Sequence, residues 1–221
     1  MPRLPRLFVP DGIYHVISRG VKQSRIFQED CDRMDFLRLI RLTRDDEPFI
    51  LHDYCLMGNH YHLLLQPAGG SLSKIMQSIN SVYSNRFNKR HGATGHVLQG
   101  RFHSIPVEAD AYLTTVSRYI HLNPVRAGLV NRPEDYPWSN YRAMITGTPD
   151  SLADSRFVLG YFGYEVGRQR QAYKQFVEDG MNQPEPISDR VLWRMRQWGN
   201  PLKRTVVLNE QTTALLSQPV A

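Results

Sequence analysis

The chain has 221 residues, a formal net charge of +6 at pH 7 and a hydrophobic content of 41%, which favours a packed core over disorder. No apolar run reaches the roughly 20 residues needed to span a bilayer, the N-terminus lacks a signal-peptide core, and two cysteines are too few for a disulfide framework. We therefore expect a soluble, cytoplasmic protein with one large domain, alone or with a small appendage.

Hydrophobic periodicity predicts seven elements in the first 123 residues. They are, in chain order, a strand at 13–18, a helix at 30–43, strands at 49–57 and 60–66, a helix from Ser71 to Phe87, a strand at 96–107 and a helix from Asp110 to Asn123. The last helix should end near Asn123, because Pro124 disfavours helical geometry in the residue before it. This order predicts an α+β fold of the ferredoxin-like, split βαβ type, with a mostly antiparallel sheet and helices on one face.

Three local patterns add detail to these elements. Apolar residues recur every three positions from Cys31 to Ile40, with Phe36 and Leu39 alongside, which predicts the apolar side of an amphipathic first helix. Gly58 and Asn59 predict a tight turn between the two middle strands, and Gly100 predicts a bulge or a close backbone approach in the last strand.

A smaller helical region is predicted beyond residue 147. Tyr173, Phe176 and Val177 lie at helical spacing before Gly180, a typical helix end, and an amphipathic segment at 188–198 carries arginines on its polar side. We therefore divide the chain into a main domain at 1–147, a helical accessory region at 148–207 and a tail at 208–221.

Positive charge is concentrated between residues 71 and 130. Seven basic residues lie there, against the two acidic residues Glu108 and Asp110. Such a bias suits a polyanion such as nucleic acid, although an ordinary solvated surface explains the charge equally well.

His60 and His62 stand two residues apart in an otherwise apolar predicted strand. Alternate side chains of a strand share a face, so the two imidazoles project to the same side, roughly 7 Å apart, and could converge on one metal ion. Burying polar groups in an apolar strand has a desolvation cost, which favours a function. The pair alone fits a metal site and two ordinary polar residues equally well.

Tyr119 and Asn123 lie one turn apart on one side of the last predicted helix. A tyrosine beside a metal ion can act as a nucleophile, and an amide oxygen can be a third ligand. Taken alone, the two residues are explained better as the rim of an amphipathic helix and as a helix end before Pro124.

Several segments together resemble the single-tyrosine HUH transposases, and in particular the REP-associated tyrosine transposases. The segments are YCLMGNHYHLLLQ, GHVLQGRF, YLTTVSRYIHLNPVRAGLV and YPWSNYRA, in the order of the family and within roughly residues 8–145. The resemblance implies that His60 and His62 are metal ligands, that Tyr119 is the catalytic nucleophile and that Asn123 is a third ligand.

The sequence departs from the family pattern at two positions. Gly58 stands where a proline often precedes the Asn-His pair, which would loosen the turn before His60. His103 stands where lysine or arginine is common, which weakens the case for a phosphate contact at that position.

The resemblance implies a metal-dependent endonuclease and strand transferase that acts on single-stranded DNA through a 5′-phosphotyrosine intermediate. The implied partner is hairpin DNA of the REP type (repetitive extragenic palindromes), and the implied cofactor is Mg²⁺ or Mn²⁺. Residues 1–147 would then be the HUH domain, and 148–207 a candidate for DNA binding. The sequence leaves open whether the protein is a monomer or a homodimer.

Basic residues of the predicted domain are candidates for contacts with the DNA backbone, as in the charged grooves that bind single strands. They are Arg86, Lys89, Arg90, Arg101, Arg118 and Arg126. Two other functions fit parts of the sequence. A non-catalytic nucleic-acid-binding module would explain the basic segment but not the histidines, and a His-x-His metal hydrolase would not need Tyr119.

Overall fold

The computed structural model describes residue 9 and residues 12–107 and 110–183, and a sheet of four antiparallel strands forms its centre. The strands are β1 (Ile13–Arg19), β2 (Phe49–Leu56), β3 (His60–Pro67) and β4 (His103–Val107). The helices are α1 (Asp30–Asp46), α2 (Leu72–His91), α3 (Asp110–Arg126), α4 (Tyr141–Thr146), α5 (Arg156–Leu159) and α6 (Val166–Asp179). The strand order β2-β3-β1-β4 and the antiparallel pairing confirm the predicted α+β class with a split βαβ sheet.

One face of the sheet is apolar and is covered by α1 and α2. Tyr14 and Val16 of β1 and Tyr61, Leu63 and Leu65 of β3 project to this side, and each is at most 2% exposed. The helix residues in the same core are Phe36, Leu39, Ile40, Ile75, Met76, Ile79, Tyr83 and Phe87. Removing this apolar surface from water is the main stabilising contribution to the fold.

The buried stripe of α1 differs from the predicted spacing of three residues. Met34, which that spacing placed in the core, is 57% exposed, whereas Phe36, Ile40 and Thr43 are buried. An α-helix turns about 100° per residue, so a repeat of three drifts around the helix while alternating steps of four and three stay on one side.

The last strand is shorter than predicted. It begins at His103 rather than at residue 96, and the chain before it turns at Gly100, whose φ of +71° lies in the left-handed region that favours glycine. Within that turn the backbone N–H of Gly100 donates to the carbonyl of Leu98 (2.8 Å).

Helix α3 continues to Arg126, so the prediction that it ends near Asn123 is wrong. Pro124 lies in the last turn, where its missing N–H removes a single helical hydrogen bond. The N–H of Ala127 still donates to the carbonyl of Asn123 (2.9 Å), and that of Leu129 to the carbonyl of Pro124 (2.9 Å), which closes the helix end.

Asp32 joins the beginning of α1 to the end of α2 from a fully buried position. Its carboxylate accepts hydrogen bonds from the N–H groups of Gln28 (2.9 Å) and Glu29 (3.0 Å) and from the side chains of Arg90 (2.6 Å) and His91 (3.0 Å). Burial alone would raise the pKa of Asp32, but the bonds from Glu29, His91, Arg90 and Gln28 outweigh it and hold the pKa below its ordinary value.

We expect Asp32→Asn to lower the free energy of unfolding by about 2 kcal/mol at pH 7, because charged hydrogen bonds at a buried carboxylate are lost. A depressed pKa stabilises the folded state above the unfolded pKa of about 3.9, and this stabilisation is lost as the pH falls through the folded value. The difference between wild type and variant should therefore shrink below about pH 4 in urea titrations. Asp30→Asn is the control and should change stability little, because the Asp30 carboxylate is exposed although it pairs with Arg33. An equal loss in both variants would contradict the expectation.

The opposite face of the sheet is covered by α3, and α5 contacts β2. His15 and Ile17 of β1 and His62 and Leu64 of β3 project to this side and are buried. The structure thus adds a second helical layer to the one-sided arrangement expected from the sequence.

Asn140 connects β2 to α3 through a buried network, and its side chain is 1% exposed. Its Oδ1 accepts the N–H of Tyr54 (2.9 Å) and lies 3.1 Å from Nε2 of His121, while its Nδ2 donates to the carbonyl of His52 (3.0 Å) and to Oγ of Ser155 (3.0 Å). One amide therefore satisfies groups from three segments of the chain.

We expect Asn140→Ala to lower the free energy of unfolding by about 3 kcal/mol, because several buried polar groups lose their partner at once. Arg142→Ala is the matched control, because Arg142 lies two residues after Asn140 in the segment YPWSNYRA and is exposed. Urea denaturation followed by circular dichroism measures both variants. A loss under 1 kcal/mol for Asn140→Ala would show that water replaces the amide.

Helix α6 is anchored on α3 by Tyr173. The hydroxyl of Tyr173, which is fully buried, is 2.7 Å from Oγ of Ser117 and 2.6 Å from Nδ1 of His121.

The predicted helix ending at Gly180 is present as α6. The described residues of the predicted accessory region, 148–183, lie in the same compact unit as the sheet. The boundary at 147 stays a prediction, and the 188–198 segment and the 208–221 tail lie outside the described residues.

Candidate active site

The sheet face under α3 carries a group of four histidines, which we call the histidine face: His15 on β1, His60 and His62 on β3, and His103 on β4. All four are at most 9% exposed. They belong together because Ile17 of β1 pairs with His62 on one side and with His103 on the other. Strand alternation thus places the predicted pair on one face, as expected, and adds two further imidazoles.

His62 is fully buried and lies against His15. Its Nδ1 is 3.0 Å from Nε2 of His15, the two rings stack with centres 5.2 Å apart, and its Nε2 has no hydrogen-bond partner among the described residues. Burial, followed by the neighbouring His60, His15 and Arg19, lowers the pKa of His62 well below its ordinary value. The ring is therefore neutral at pH 7, which is the form that binds metal ions.

His60 stands at the beginning of β3, directly after the turn. Its Nδ1 is 2.6 Å from Oδ1 of Asn59, and its ring centre is 4.9 Å from that of His62. An ion about 2.1 Å from a ring nitrogen lies roughly 3 Å from the ring centre, so rings this close can share one ion.

The turn before His60 is held in place although Gly58 replaces the common proline. The carbonyl of Gly58 accepts the N–H groups of Ile26 (2.9 Å) and Phe27 (3.1 Å), and the carbonyl of Asn59 accepts that of Gly20 (2.8 Å). The loosening that the glycine suggested is offset by these bonds from the segment between β1 and α1.

Tyr119 is brought against the same two histidines by α3. It is 4% exposed, and its ring centre lies 5.4 Å from that of His62 and 5.8 Å from that of His15, in edge-on contacts. Asn123 lies one turn further and is half-buried, and its Nδ2 donates to the carbonyl of Tyr119 (2.8 Å). Tyr119 and the pair on β3, which lie far apart in the sequence, therefore meet in the fold.

The described residues contain no group of three or more His, Cys, Asp or Glu side chains arranged to hold a metal ion. A site here would therefore take two imidazoles from the protein and its other ligands from an amide or from a bound phosphate. The unpartnered, buried Nε2 of the neutral His62 is the atom that fits such an ion.

The basic residues predicted to contact DNA do not form one surface. Arg86 and Arg90 both bond to Asp35 of α1, at 2.6 and 3.3 Å, on the side of the sheet away from Tyr119. Lys89 and Arg101 are exposed. The charges of Lys89 and Arg101 are therefore available to a ligand, whereas Arg86 and Arg90 already pair with a carboxylate.

Arg118 and Arg126 of α3 face the C-terminal helical layer. The Arg118 guanidinium lies 4.2 Å from the centre of the Phe176 ring and Nη1 donates to the Phe176 carbonyl (3.4 Å), while Nη2 of Arg126 donates to the Gly180 carbonyl (3.4 Å). Arg118 is buried in these contacts and therefore contributes to the packing of α3 on α6.

Reasoning from the sequence missed His15 as part of the site. The available signal was the same as for the pair on β3, a histidine in an apolar strand, at IYHVIS. Its neighbour His62 is 47 positions away, and only the register of β1 against β3 brings the two rings together.

Comparison with known proteins gives a family and a fold. The family model described as "Transposase IS200 like" matches residues 8–123, more than half of the chain. A solved structure described as "Structure of the REP associates tyrosine transposase bound to a REP hairpin" is 20% identical with a TM-score of 0.56, covering 70% of this chain and 93% of that chain. At that identity the likeness shows the fold. No curated protein matches the chain significantly.

Proposed function

Because this chain belongs to the IS200-like transposase family, we propose that it cuts and rejoins single-stranded DNA with Tyr119 as nucleophile and with His60 and His62 as ligands of a divalent ion. The observation that supports this assignment best is the contact between the rings of Tyr119 and His62, 5.4 Å apart in a buried site.

The chemistry assigned to Tyr119 is an in-line displacement at phosphorus. The phenolic oxygen forms a bond to the phosphorus of the scissile phosphodiester as the bond from phosphorus to the 3′ oxygen breaks. The phenolic proton leaves Tyr119, and the departing 3′ oxygen gains a proton. The products are a 5′-phosphotyrosine and a free 3′-hydroxyl, and attack of that hydroxyl on the same linkage rejoins the strand.

His60 and His62 hold the ion through Nε2 in this proposal, since Nδ1 of each ring is engaged elsewhere. Asn123 contributes Oδ1 as a third ligand, because its Nδ2 is the donor to the Tyr119 carbonyl. Mg²⁺ or Mn²⁺ bound there would neutralise charge on the scissile phosphate and polarise its phosphorus.

REP-like hairpin DNA is the substrate that we propose, and the cytoplasm the place of action. The fold matches a transposase whose structure contains a REP hairpin. The exposed Lys89 and Arg101 are the cations of the predicted set most available to a DNA backbone.

One assay tests the proposal against its rivals. The protein is incubated with end-labelled hairpin DNA and Mn²⁺, and a denaturing gel is examined for a covalent adduct. An adduct supports the proposal. Cleavage without an adduct, surviving Tyr119→Phe, would indicate a metal hydrolase, and binding without cleavage under any divalent ion would indicate a non-catalytic module.

The C-terminal segment is proposed to add to hairpin affinity. A deletion from residue 150 would also remove Tyr173 and Val177, which are fully buried, so the cut belongs after Gln183. We expect removal of residues 184–221 to weaken hairpin binding roughly tenfold at low salt, because three arginines at 188–198 would no longer neutralise phosphates. Full-length protein with Arg190, Arg194 and Arg196 changed to glutamine is the matched variant. Unchanged affinity of both, measured by fluorescence anisotropy, would refute the role.

A further inference from the structure

We infer that His15 is a positioning residue that fixes the tautomer of His62, so that Nε2 of His62 presents its lone pair to the ion. The inference rests on the proposed metal-binding role of His62. It is carried by the hydrogen bond between Nε2 of His15 and Nδ1 of His62, 3.0 Å long, between rings that are at most 1% exposed.

A hydrogen bond between two imidazoles needs one donor and one acceptor. If Nδ1 of His62 carries the proton and donates to His15, Nε2 of His62 is left with a lone pair that can bind an ion. If His15 donates instead, the proton of His62 sits on Nε2 and blocks that position. Nε2 of His62 has no hydrogen-bond acceptor among the described residues, and in the first arrangement the proton of His15 sits on its own buried Nδ1, so burial alone favours neither arrangement. The ion proposed at Nε2 of His62 requires the first arrangement, because it binds a lone pair there.

Asn59 performs the same task for His60. Its Oδ1 lies 2.6 Å from Nδ1 of His60, and a carbonyl oxygen can only accept, so the proton of His60 sits on Nδ1. Both ligand histidines thus have an acceptor on Nδ1, the arrangement that normally orients histidines at metal sites. The turn provides the acceptor for one ring and the neighbouring strand β1 provides it for the other.

The register of the sheet explains why His15 can reach His62. His15 pairs with Leu64 and His62 pairs with Ile17, so the two histidines are diagonal neighbours on one face of adjacent strands. Diagonal neighbours in an antiparallel pair are within reach of ring side chains. Because Nε2 of His15 is committed to His62, His15 acts through that ring and is not itself assigned to the ion or to the phosphate.

Two measurements on the full-length protein test the inference. Long-range ¹H–¹⁵N correlation spectra of the metal-free protein give the tautomer of His62, and titration with Mn²⁺ followed by electron paramagnetic resonance gives the dissociation constant. We expect the Nδ1–H tautomer in wild type, and a dissociation constant raised about tenfold to hundredfold by His15→Leu. His15→Gln, whose Oε1 can accept in place of Nε2, should restore the tautomer and most of the affinity.

His52→Leu is the control for losing a buried histidine, because His52 bonds to Gln66 and to the carbonyl of Asp154 and has no part in the proposed site. It should leave the tautomer of His62 and the Mn²⁺ affinity unchanged. An Nε2–H tautomer in wild type, or equal Mn²⁺ affinity in wild type and His15→Leu, would overturn the inference. If His15→Leu does not fold, the wild-type tautomer and the glutamine variant still decide. Wild-type protein that binds no Mn²⁺ but shows the Nδ1–H tautomer would refute the proposed metal site and leave the hydrogen-bond assignment standing.

Discussion

Tyr119→Phe is expected to abolish the covalent adduct with hairpin DNA and to reduce strand cleavage by about a thousandfold or more, because the phenyl ring has no oxygen to attack phosphorus. The ring itself is kept, and with it the edge-on contacts to His62 and His15. The free energy of unfolding should therefore change by less than about 1 kcal/mol. A denaturing gel measures the adduct, and urea titration measures the stability.

Tyr112→Phe is the matched control for this change. Tyr112 lies on the same helix about two turns earlier and carries the same hydroxyl. The control should retain the adduct at the wild-type level. An adduct that survives Tyr119→Phe but disappears with Tyr112→Phe would show that Tyr112, and not Tyr119, is the nucleophile.

His62→Ala and His60→Ala are each expected to reduce Mn²⁺-dependent cleavage about a hundredfold or more, because either change leaves a single imidazole for the ion. Excess chelator should bring the wild-type protein to the same level. His60→Ala should recover partly at high Mn²⁺ concentration, since the buried ring of His62 and its acceptor His15 remain in place.

His96→Ala controls for loss of a histidine as such, because His96 is exposed. It should cleave like wild type. The gel assay with Mn²⁺ titrated over each variant distinguishes a lost ligand, which shifts the metal requirement, from a lost fold, which removes cleavage at every concentration. Full activity of His62→Ala in the presence of chelator would show that cleavage does not require the proposed metal ion.

The sequence predicted best what depends on local periodicity. Alternation along β3 correctly put His60 and His62 on one face. Helical spacing put Tyr119 and Asn123 one turn apart on α3, but it suggested a rim position for Tyr119, which the structure shows to be buried. The expectation that these residues form one site came from the family resemblance rather than from periodicity. Whether these residues bind a metal or DNA stays a prediction.

The sequence predicted poorly what depends on pairing across the sheet or between helices. His15 joins the site only through strand register. Arg86 and Arg90 were indistinguishable from DNA-contacting cations until the packing of α1 on α2 placed Asp35 between them. Such long-range pairings leave no mark on the periodicity of a single segment.

The bonds from Tyr173 to Ser117 and His121 have a consequence for how a cleavage event would proceed. Ser117 and His121 flank Tyr119 on α3, two positions before and two after it, and both are fully buried. Turning or sliding α3 would break these bonds together and leave polar groups without partners in the interior. We therefore expect Tyr119, the proposed nucleophile, to stay still during a reaction cycle. The search for a productive geometry would then fall on the DNA strand, and the flexibility of the sequence beside the hairpin would set how often a phosphate arrives in line.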